Sequence, residues 1–577
     1  MAKLKHTTAG NILILTAGLA ATAALLLPIQ PPLNIAPLAW IALIPFILVC
    51  SRQPKTSHLL ITTYIIGAAY WLTALHWVGP VTAIGWIVFC LYTAFLWPLI
   101  ALGVRFAISK NIPLILAVPL IFVGAEQFQG FLLGGFLWRL LGHSQYANIE
   151  LIQIADIFGA SGVSFLVAMV NGLFAQLLLS AYNKKILTKP NIIQTALTAA
   201  AVIATLTYGA WRISQHDQYV SQGPVVASVQ SNVPQAVKES WQVSDEIFIS
   251  LLSQTRNIQN SNARLVVWPE TMVQTFLDPR ISRYLESQGR EIPEKKILQQ
   301  HAQEHDRYML VGAYGGTIGF DENNIPYYAE KLNSAFLYTP EGIQSPLQYS
   351  KIHLVPFGEV LPFVQTLPWL ENFLMTFTPY DYDYTLDPGT EFTIFPITTA
   401  DGQKEYKFGV IICYEDVVPE IAQEFALDKD GNKQVDWLVN ISNDGWFVRY
   451  DGKNMRPSAE LPQHVAVCVF RAVENRLAVV RSVNTGISCL IDTYGRVRDG
   501  YISGNLPTKA MSRQAVEGWF ADTVPIDNRV TIFTRYGRWL DYLCGAGFIA
   551  MAIGPGVVSW SKRRKISKNH SKRKDPK

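Results

Sequence analysis

Three short runs in the second half of the chain carry side chains suited to acyl chemistry. They are Trp268-Pro269-Glu270, Tyr349-Ser350-Lys351 leading into Pro356-Phe357-Gly358-Glu359, and Ile412-Cys413-Tyr414-Glu415. A carboxylate, an ammonium and a thiol are what is needed to make and break an acyl-thioester. Glu270 can take the thiol proton, Lys351 can stabilise the oxyanion of a tetrahedral intermediate, and Cys413 can hold the acyl group. Each residue type alone has a blander reading. A lone cysteine after an apolar strand is more often inert core, a glutamate after Trp-Pro a turn carboxylate, and a lysine on an exposed strand a solvated one. The case rests on the three standing together. A Cys-Glu-Lys set makes His353 and His464 unnecessary as bases, and His464 suits a structural hydrogen bond at a helix start.

The segments that must position them read as alternating strands and helices. Val225–Gln230, Leu265–Trp268, Tyr308–Tyr314, Phe408–Ile412, Trp437–Asn440 and Ala478–Ser482 are apolar runs of strand length. Helical spacing is expected over Ser244–Asn257, 293–306, Pro419–Leu427 and Gln463–Glu474, and Ser334–Tyr338 with Gln348–His353 alternates like a hairpin. This pattern predicts an α/β sandwich. Glu270 and Cys413 then stand at strand C-termini, where such folds collect their chemistry. A helix start after Cys413 would favour a thiolate. Gly312, Gly315, Gly316 and Gly319 only loosely imitate a phosphate loop, because no helix follows them, and they read as hairpin or loop glycines. The sequon Asn440-Ile441-Ser442 lies at a strand-to-loop junction. No Cys/His spacing suggests a metal, and no cofactor is expected.

The rest of the chain is a membrane protein by composition. Of 577 residues, 50% are hydrophobic and only 16% charged. Long uncharged runs predict spans near 11–29, 35–50, 58–78, 81–104, 112–128, 161–182, 192–211 and 541–560. The expected organisation is a membrane bundle of about seven spans over 1–211 and a linker at 212–224. A catalytic domain over 225–525, a last span at 541–560 and a basic tail at 561–577 follow. The mixed stretch 129–160, with Arg139, His143 and Glu150, reads as an external loop or a half-buried amphipathic segment. A signal-peptide reading of the first run is disfavoured, because no small-x-small site precedes Pro28.

Every second connection is basic. Lys3 and Lys5, Arg52 and Lys55, Arg105 and Lys110, then Lys184, Lys185 and Lys189 mark every second connection, and the intervening loop at 78–80 has no charge. Between Lys562 and Lys574 the tail after the last span carries eight more Lys and Arg residues. Eight spans with both termini in the cytoplasm and the inserted domain on the outer face fit this alternation. The tail suits anionic lipid. Nucleic-acid binding is not expected, since the net charge is only +4 and no recognition module is present. Of six cysteines, Cys50, Cys90 and Cys544 fall in or beside spans. Cys413, Cys468 and Cys489 remain for the outer domain, an odd number that leaves a free thiol or a pairing outside the domain.

The motifs taken in order resemble those of known families. The outer domain resembles the nitrilase, or carbon-nitrogen hydrolase, superfamily, whose members use Glu, Lys and Cys on an αββα sandwich. The whole chain resembles the bacterial apolipoprotein N-acyltransferases, in which such a domain precedes the last of eight spans. The matching runs are QSNVPQ at 230–235, WPET at 268–271, SKIHLVPFGEVLP at 350–362 and ICYED at 412–416. NISNDGWF at 440–447, QH at 463–464, RAVENR at 471–476 and NTGIS at 484–488 continue the match. Gly135-Phe136-Leu137-Trp138, Ser144-Gln145 and Gly162-Val163-Ser164-Phe165 extend it into the membrane part. Two places depart from the family pattern. Glu239 follows Lys238 where the family has a tryptophan, leaving Trp241 as the nearest, and 379–389 is rich in Tyr and Asp.

The resemblance implies a catalytic set of Cys413 as nucleophile, Glu270 as general base and Lys351 as oxyanion stabiliser. Glu359 would orient Lys351 or assist proton transfer, and Tyr414 and Glu415 would shape the pocket wall. It implies a phospholipid as acyl donor, a diacylglyceryl-apolipoprotein as acceptor, and a bacterial inner-membrane location with the catalytic domain in the periplasm. A membrane-tethered amidohydrolase is the rival reading of the same three residues. Phe363, Leu367, Trp369, Leu370, Phe373 and Phe377 are either core or residues that reach the lipid surface.

Overall fold

The computed structural model describes residues 8–238, 243–360 and 385–554. Trp241, the apolar run at 363–377, most of 379–389, the end of the last expected span and the basic tail lie outside these residues.

The catalytic part is two β-sheets packed face to face. The first has the order β15-β1-β2-β4-β5-β6, with β3 beside β4. Here β1 is Val220–Gln230, β2 Leu265–Val267, β3 Val273–Phe276, β4 Tyr308–Phe320, β5 Pro326–Tyr338, β6 Gln344–Ser350 and β15 Gly518–Asp527. The second has the order β14-β13-β12-β9-β8-β7. Its strands are β7 Ile394–Thr398, β8 Glu405–Ile412, β9 Trp437–Asn443, β12 Ala478–Asn484, β13 Cys489–Ile491 and β14 Val497–Arg498. A two-stranded ribbon, β10 Arg449–Tyr450 with β11 Met455–Arg456, stands apart. In each sheet the central strands are parallel (β1-β2-β4 and β8-β9-β12) and the flanking ones antiparallel.

The period-2 alternation of strands explains the layering. Val226, Leu265, Val267 and Leu310 face the second sheet, in one core with Phe408, Val410 and Trp437. Their neighbours Ala227, Val266, Met309 and Val311 face outward, onto Ile247, Phe248 and Leu251 of the helix Ser244–Arg256 and Leu298 of the helix Pro293–Glu304. Polar hydroxyls stitch the sheets together: Ser228 donates to the Arg481 carbonyl (2.8 Å), and Ser482 to the carbonyls of Val229 and Val267 (2.9 and 3.0 Å). Helices Pro419–Glu424 and Glu460–Asn475 cover the second sheet, completing four layers. The glycines of β4 lie in the antiparallel β4–β5 pair, and Asn440 is buried within β9.

Helices stand at all eight segments expected to span a membrane. Among the described residues, four helices are long and apolar enough to cross one: Ala9–Leu26, Ala83–Ser109, Ala160–Tyr182 and Lys189–Ser214. The apolar helices at Ala36–Ser51, Leu114–Gln129 and Trp539–Ala552 are shorter. The stretch 212–224 is not a free linker. Helix Lys189–Ser214 runs into it, His216–Tyr219 forms one more turn, and β1 begins at Val220.

The stretch 129–160 is packed between the two parts of the molecule. Arg139 reaches the carbonyls of Leu26 and Leu27 (both 3.1 Å), and Trp138 donates to Gln463 (2.9 Å). Below it, Asp156 is fully buried and pairs with Arg476 of the catalytic part (2.7 Å) and Arg212 (2.8 Å). A buried carboxylate is tolerated only with such partners. The helix Glu460–Asn475 is consequently buried on every face, lying against the sheet on one side and the membrane part on the other.

Candidate active site

Cys413 follows directly on β8 and opens a five-residue 3-10 turn, Cys413–Val417. Its φ is +52°, a left-handed conformation that costs a non-glycine residue about 1–3 kcal/mol. The two residues beyond it anchor the turn. The Glu415 carboxylate accepts from Ile412 N (2.7 Å), Ile352 N (2.7 Å), His353 N (3.1 Å) and the Tyr349 hydroxyl (2.9 Å). It thus ties the cysteine turn to the segment that carries Lys351. Glu415 was expected at the pocket wall. It is instead fully enclosed behind the turn, because four donors converge on it there.

Asp416 is held by His464 Nε2 (2.9 Å) and Arg481 Nη1 (2.8 Å). His464 Nδ1 faces Asp444 and Glu460, both at 3.2 Å. Burial would strip the His464 proton, but Asp416 and Asp444 hold its pKa well above the ordinary value. Asp444, Glu460 and His464 are grouped closely enough to hold a metal ion. A protonated imidazole and the Arg481 guanidinium already supply positive charge to this cluster.

Glu270 lies three residues beyond β2, in a turn where Thr271 also has a left-handed φ of +47°. Lys238, itself buried, clamps this turn through Thr271 Oγ1 (2.5 Å) and the Glu270 carbonyl (3.3 Å). Gly312 of β4 must lack a side chain here: a Cβ would come within 2.4 Å of the Pro269 carbonyl oxygen and 2.8 Å of Glu270 Cα.

Lys351, at the end of β6, is 1% exposed. Its ammonium lies 2.8 Å from the Glu359 carboxylate and 3.5 Å from Glu270 Oε1. Burial would neutralise it, but the two carboxylates, Glu359 first, raise its pKa and keep it charged. Asn333 of β5 bridges the acids, donating to Glu270 Oε1 (2.7 Å) and Glu359 Oε1 (3.3 Å). Its own carbonyl accepts from Lys351 N (2.8 Å). Glu359 is fixed from its other oxygen by Val355 N (2.8 Å).

The Cys413 thiol is pushed up to about 12, by burial first and then by Glu270, against the smaller pull of Lys351 and His464. The expectation of a resting thiolate at a helix start is therefore corrected. One short 3-10 turn supplies little dipole, and a buried carboxylate outweighs it. The resting group is then a protonated thiol. Burial and Lys351 also lower the pKa of His353, leaving it neutral.

The membrane part touches the site at two points. The Tyr414 hydroxyl donates to the Gly135 carbonyl (2.9 Å), and Gly134 lies against Pro356. Beside these contacts Phe131 is 74% exposed, with Leu132, Leu133 and Phe357 also exposed. The structure thus gathers Glu270, Lys351, Cys413, Glu359 and Tyr414, with Glu415 enclosed behind them. His464 makes buried hydrogen bonds near a helix start, as expected of it, whereas Asn333, Tyr349, Lys238, Asp416 and Arg481 were missed as site residues. Asn333 sits in no motif, and only the β5–β6 register, Ser334 opposite Ser350, puts it beside Lys351.

Comparison with known proteins matches both parts of the chain. Residues 22–173 fit the family model described as apolipoprotein N-acyltransferase N-terminal domain, and residues 225–503 the one described as carbon-nitrogen hydrolase. A protein of Geobacter metallireducens named apolipoprotein N-acyltransferase is 30% identical over 541 residues, covering 90% of this chain and 91% of its own. Proteins of the same name from Chlorobaculum tepidum (27% identical; 90% and 91% covered) and Bradyrhizobium diazoefficiens (26%; 80% and 75%) also align. An amidase from Nesterenkonia sp. overlays 55% of this chain and 94% of its own at a TM-score of 0.34 and 13% identity, too loosely to argue from.

Proposed function

This chain belongs to the apolipoprotein N-acyltransferase family, and on that premise we propose that it moves a fatty acyl chain from a membrane phospholipid, through a thioester on Cys413, to the N-terminal amine of a diacylglyceryl-apolipoprotein. It is an acyltransferase of the carbon-nitrogen hydrolase superfamily and a membrane protein. The observation that supports the choice of donor is an apolar surface beside the site: exposed Phe131, Leu132, Leu133 and Phe357 lie where a loop from the membrane part meets the turn that bears the thiol.

In the first half-reaction Glu270 takes the Cys413 proton as sulfur attacks the ester carbonyl. Lys351 faces the oxyanion. The carbon–oxygen bond breaks, the lysophospholipid leaves with the proton returned by Glu270, and the acyl group stays on sulfur. In the second, the acceptor amine attacks the thioester, the carbon–nitrogen bond forms as the carbon–sulfur bond breaks, and the amine proton passes through Glu270 to the released thiolate. One site serves both substrates in turn, so the kinetics are ping-pong. An acyl chain stays with the bilayer because each buried CH₂ is worth about 0.8 kcal/mol, which suits a site that abuts the membrane part. We further assign the catalytic domain to the periplasmic side of the inner membrane and both termini to the cytoplasm, on the alternation of basic loops.

The test is intact mass after incubation with phospholipid alone. An acyl adduct on Cys413 that passes to a diacylglyceryl-cysteine peptide, and that Cys413→Ser cannot form as a thioester, supports the proposal. No adduct, with hydrolysis of a small amide instead, would favour a membrane-tethered amidohydrolase.

A further inference from the structure

The helix Pro293–Glu304, on the outer layer of the first sheet, ends in His301-Ala302-Gln303-Glu304-His305. Positions four apart share one helical face, and the residue three on from the first lies beside them. The spacing alone says little, since paired histidines at a helix end are ordinary core. The surroundings say more. His301 is 3% exposed and its Nε2 has no hydrogen-bond partner; His305 Nε2 is likewise enclosed and unpartnered. The two rings stand edge to face, centroids 4.3 Å apart. Leaving a buried polar atom unsatisfied costs about 1–3 kcal/mol, and this helix end leaves two side by side.

An imidazole can offer a lone pair, and Glu304 adds an exposed carboxylate; one ligand atom from each of the three residues lies within 4.8 Å of the others. We propose that His301, Glu304 and His305 form a binding site for a late first-row divalent cation of the zinc class. Two imidazoles and one carboxylate make a donor set that zinc accepts, with water as fourth ligand on the exposed side. Donors around tetrahedral zinc stand ~3.3 Å apart at bond lengths of ~2.0–2.1 Å, a closure that rotation of the exposed Glu304 side chain can supply.

The field is mixed. The helix C-terminus favours a cation, whereas Arg256 and Arg307 oppose one. The Arg307 guanidinium is engaged by the carbonyls of Ile258 and Gln259 (3.2 and 3.0 Å) and its Nε by that of His305 (3.2 Å), and does not fill the gap between the rings. The ion would join the end of this helix to itself and satisfy both orphaned nitrogens. It is a structural site, independent of acyl transfer.

The experiment uses the full chain in detergent with a histidine-free affinity tag, stripped with a chelator and dialysed against micromolar zinc. Metal analysis should give one zinc per chain, with a rise in melting temperature and acyl transfer unchanged. His305→Gln and Glu304→Gln, both at the exposed side, should each weaken binding by at least about tenfold while the chelated proteins melt as the parent does. Cobalt in place of zinc should show visible absorption of a tetrahedral site in the parent and lose it in His305→Gln. Absence of stoichiometric zinc in the parent would overturn the proposal. Undiminished binding in both variants would do the same, by placing the metal elsewhere, at Cys413 or the Asp444–Glu460–His464 group.

Discussion

Replacing Glu270 by Gln separates the two ways in which Cys413 can become a nucleophile. With the thiol at about 12, only about one molecule in 3 × 10⁴ is ionised at pH 7.5, a handicap of roughly 6 kcal/mol at ~1.36 kcal/mol per unit. In the proposed mechanism the Glu270 carboxylate removes that handicap by taking the proton during attack, and it is also the group that, after burial, holds the thiol up. Glu270→Gln therefore loses the base and lowers the thiol pKa at once. Acylation at pH 7.5 should fall by about 10²–10⁴-fold, the usual range for a general base. The variant should then regain rate tenfold per pH unit above pH 8, as its thiol ionises directly, while the parent stays level over the same range. The assay is the rate of acyl-adduct formation by quenched intact mass, with iodoacetamide alkylation as a lipid-free control. A Gln variant that acylates within tenfold of the parent at pH 7.5, or whose rate is flat from pH 8 to 10, would refute the assignment of Glu270 as base.

Asn333→Leu removes the 2.7 Å bond to Glu270 and the 3.3 Å bond to Glu359. A hydrogen bond to a charged group is worth about 1.5–3 kcal/mol, so kcat/KM for acylation should drop about 10- to 150-fold with the circular dichroism unchanged. Gly312→Ala sets a Cβ against backbone atoms of Pro269, Glu270 and Thr271 at 2.4–2.8 Å, and should lower the melting temperature by an overpacking cost of about 1–3 kcal/mol while slowing acylation. For His464→Gln the pH matters. The folded state raises the His464 pKa, so its stabilisation is complete below the unfolded value near 6.5 and is lost as pH climbs through the folded value. Thermal melts should show a deficit of about 3–5 kcal/mol at pH 6 that shrinks as the pH rises above 7.

Much of this architecture was legible because it is written in local patterns. The strands around Val226, Val267 and Val410 read as strands since both their faces are covered, and Glu270, Lys351 and Cys413 stood out at their ends. The thiol's ionisation was misread because a helix start is visible in sequence and a facing carboxylate is not. Asn333 was invisible for a similar reason: its role depends on pairing β5 with β6, and then on Glu270 arriving from a strand 63 residues earlier. The membrane count is another such limit. Helix Leu114–Gln129 has Pro119 inside, and Ala36–Ser51 joins a 3-10 turn to a short helix, so hydropathy places these segments without deciding which cross a bilayer.

The turn that bears Cys413 lies where the sandwich meets the membrane part. Asp416 follows the nucleophile by three residues and is braced by His464, whose ring packs against Trp138 of the membrane part at 5.4 Å. Gln463, next to His464, accepts from Trp138 and donates to the Pro31 carbonyl (2.8 Å). On the other side of the turn Tyr414 is tied to Gly135. The Cys413 turn, strained at its first residue, is thus gripped from behind by its own sheet and from the front by loops of the membrane part. A catalytic domain cut from its helices would keep Glu270, Lys351 and Cys413 in sequence but lose Trp138 and Gly135 as supports. The geometry of the Cys413 turn is set jointly by the sandwich and the membrane part, so on the proposed function acylation should depend on that contact being intact.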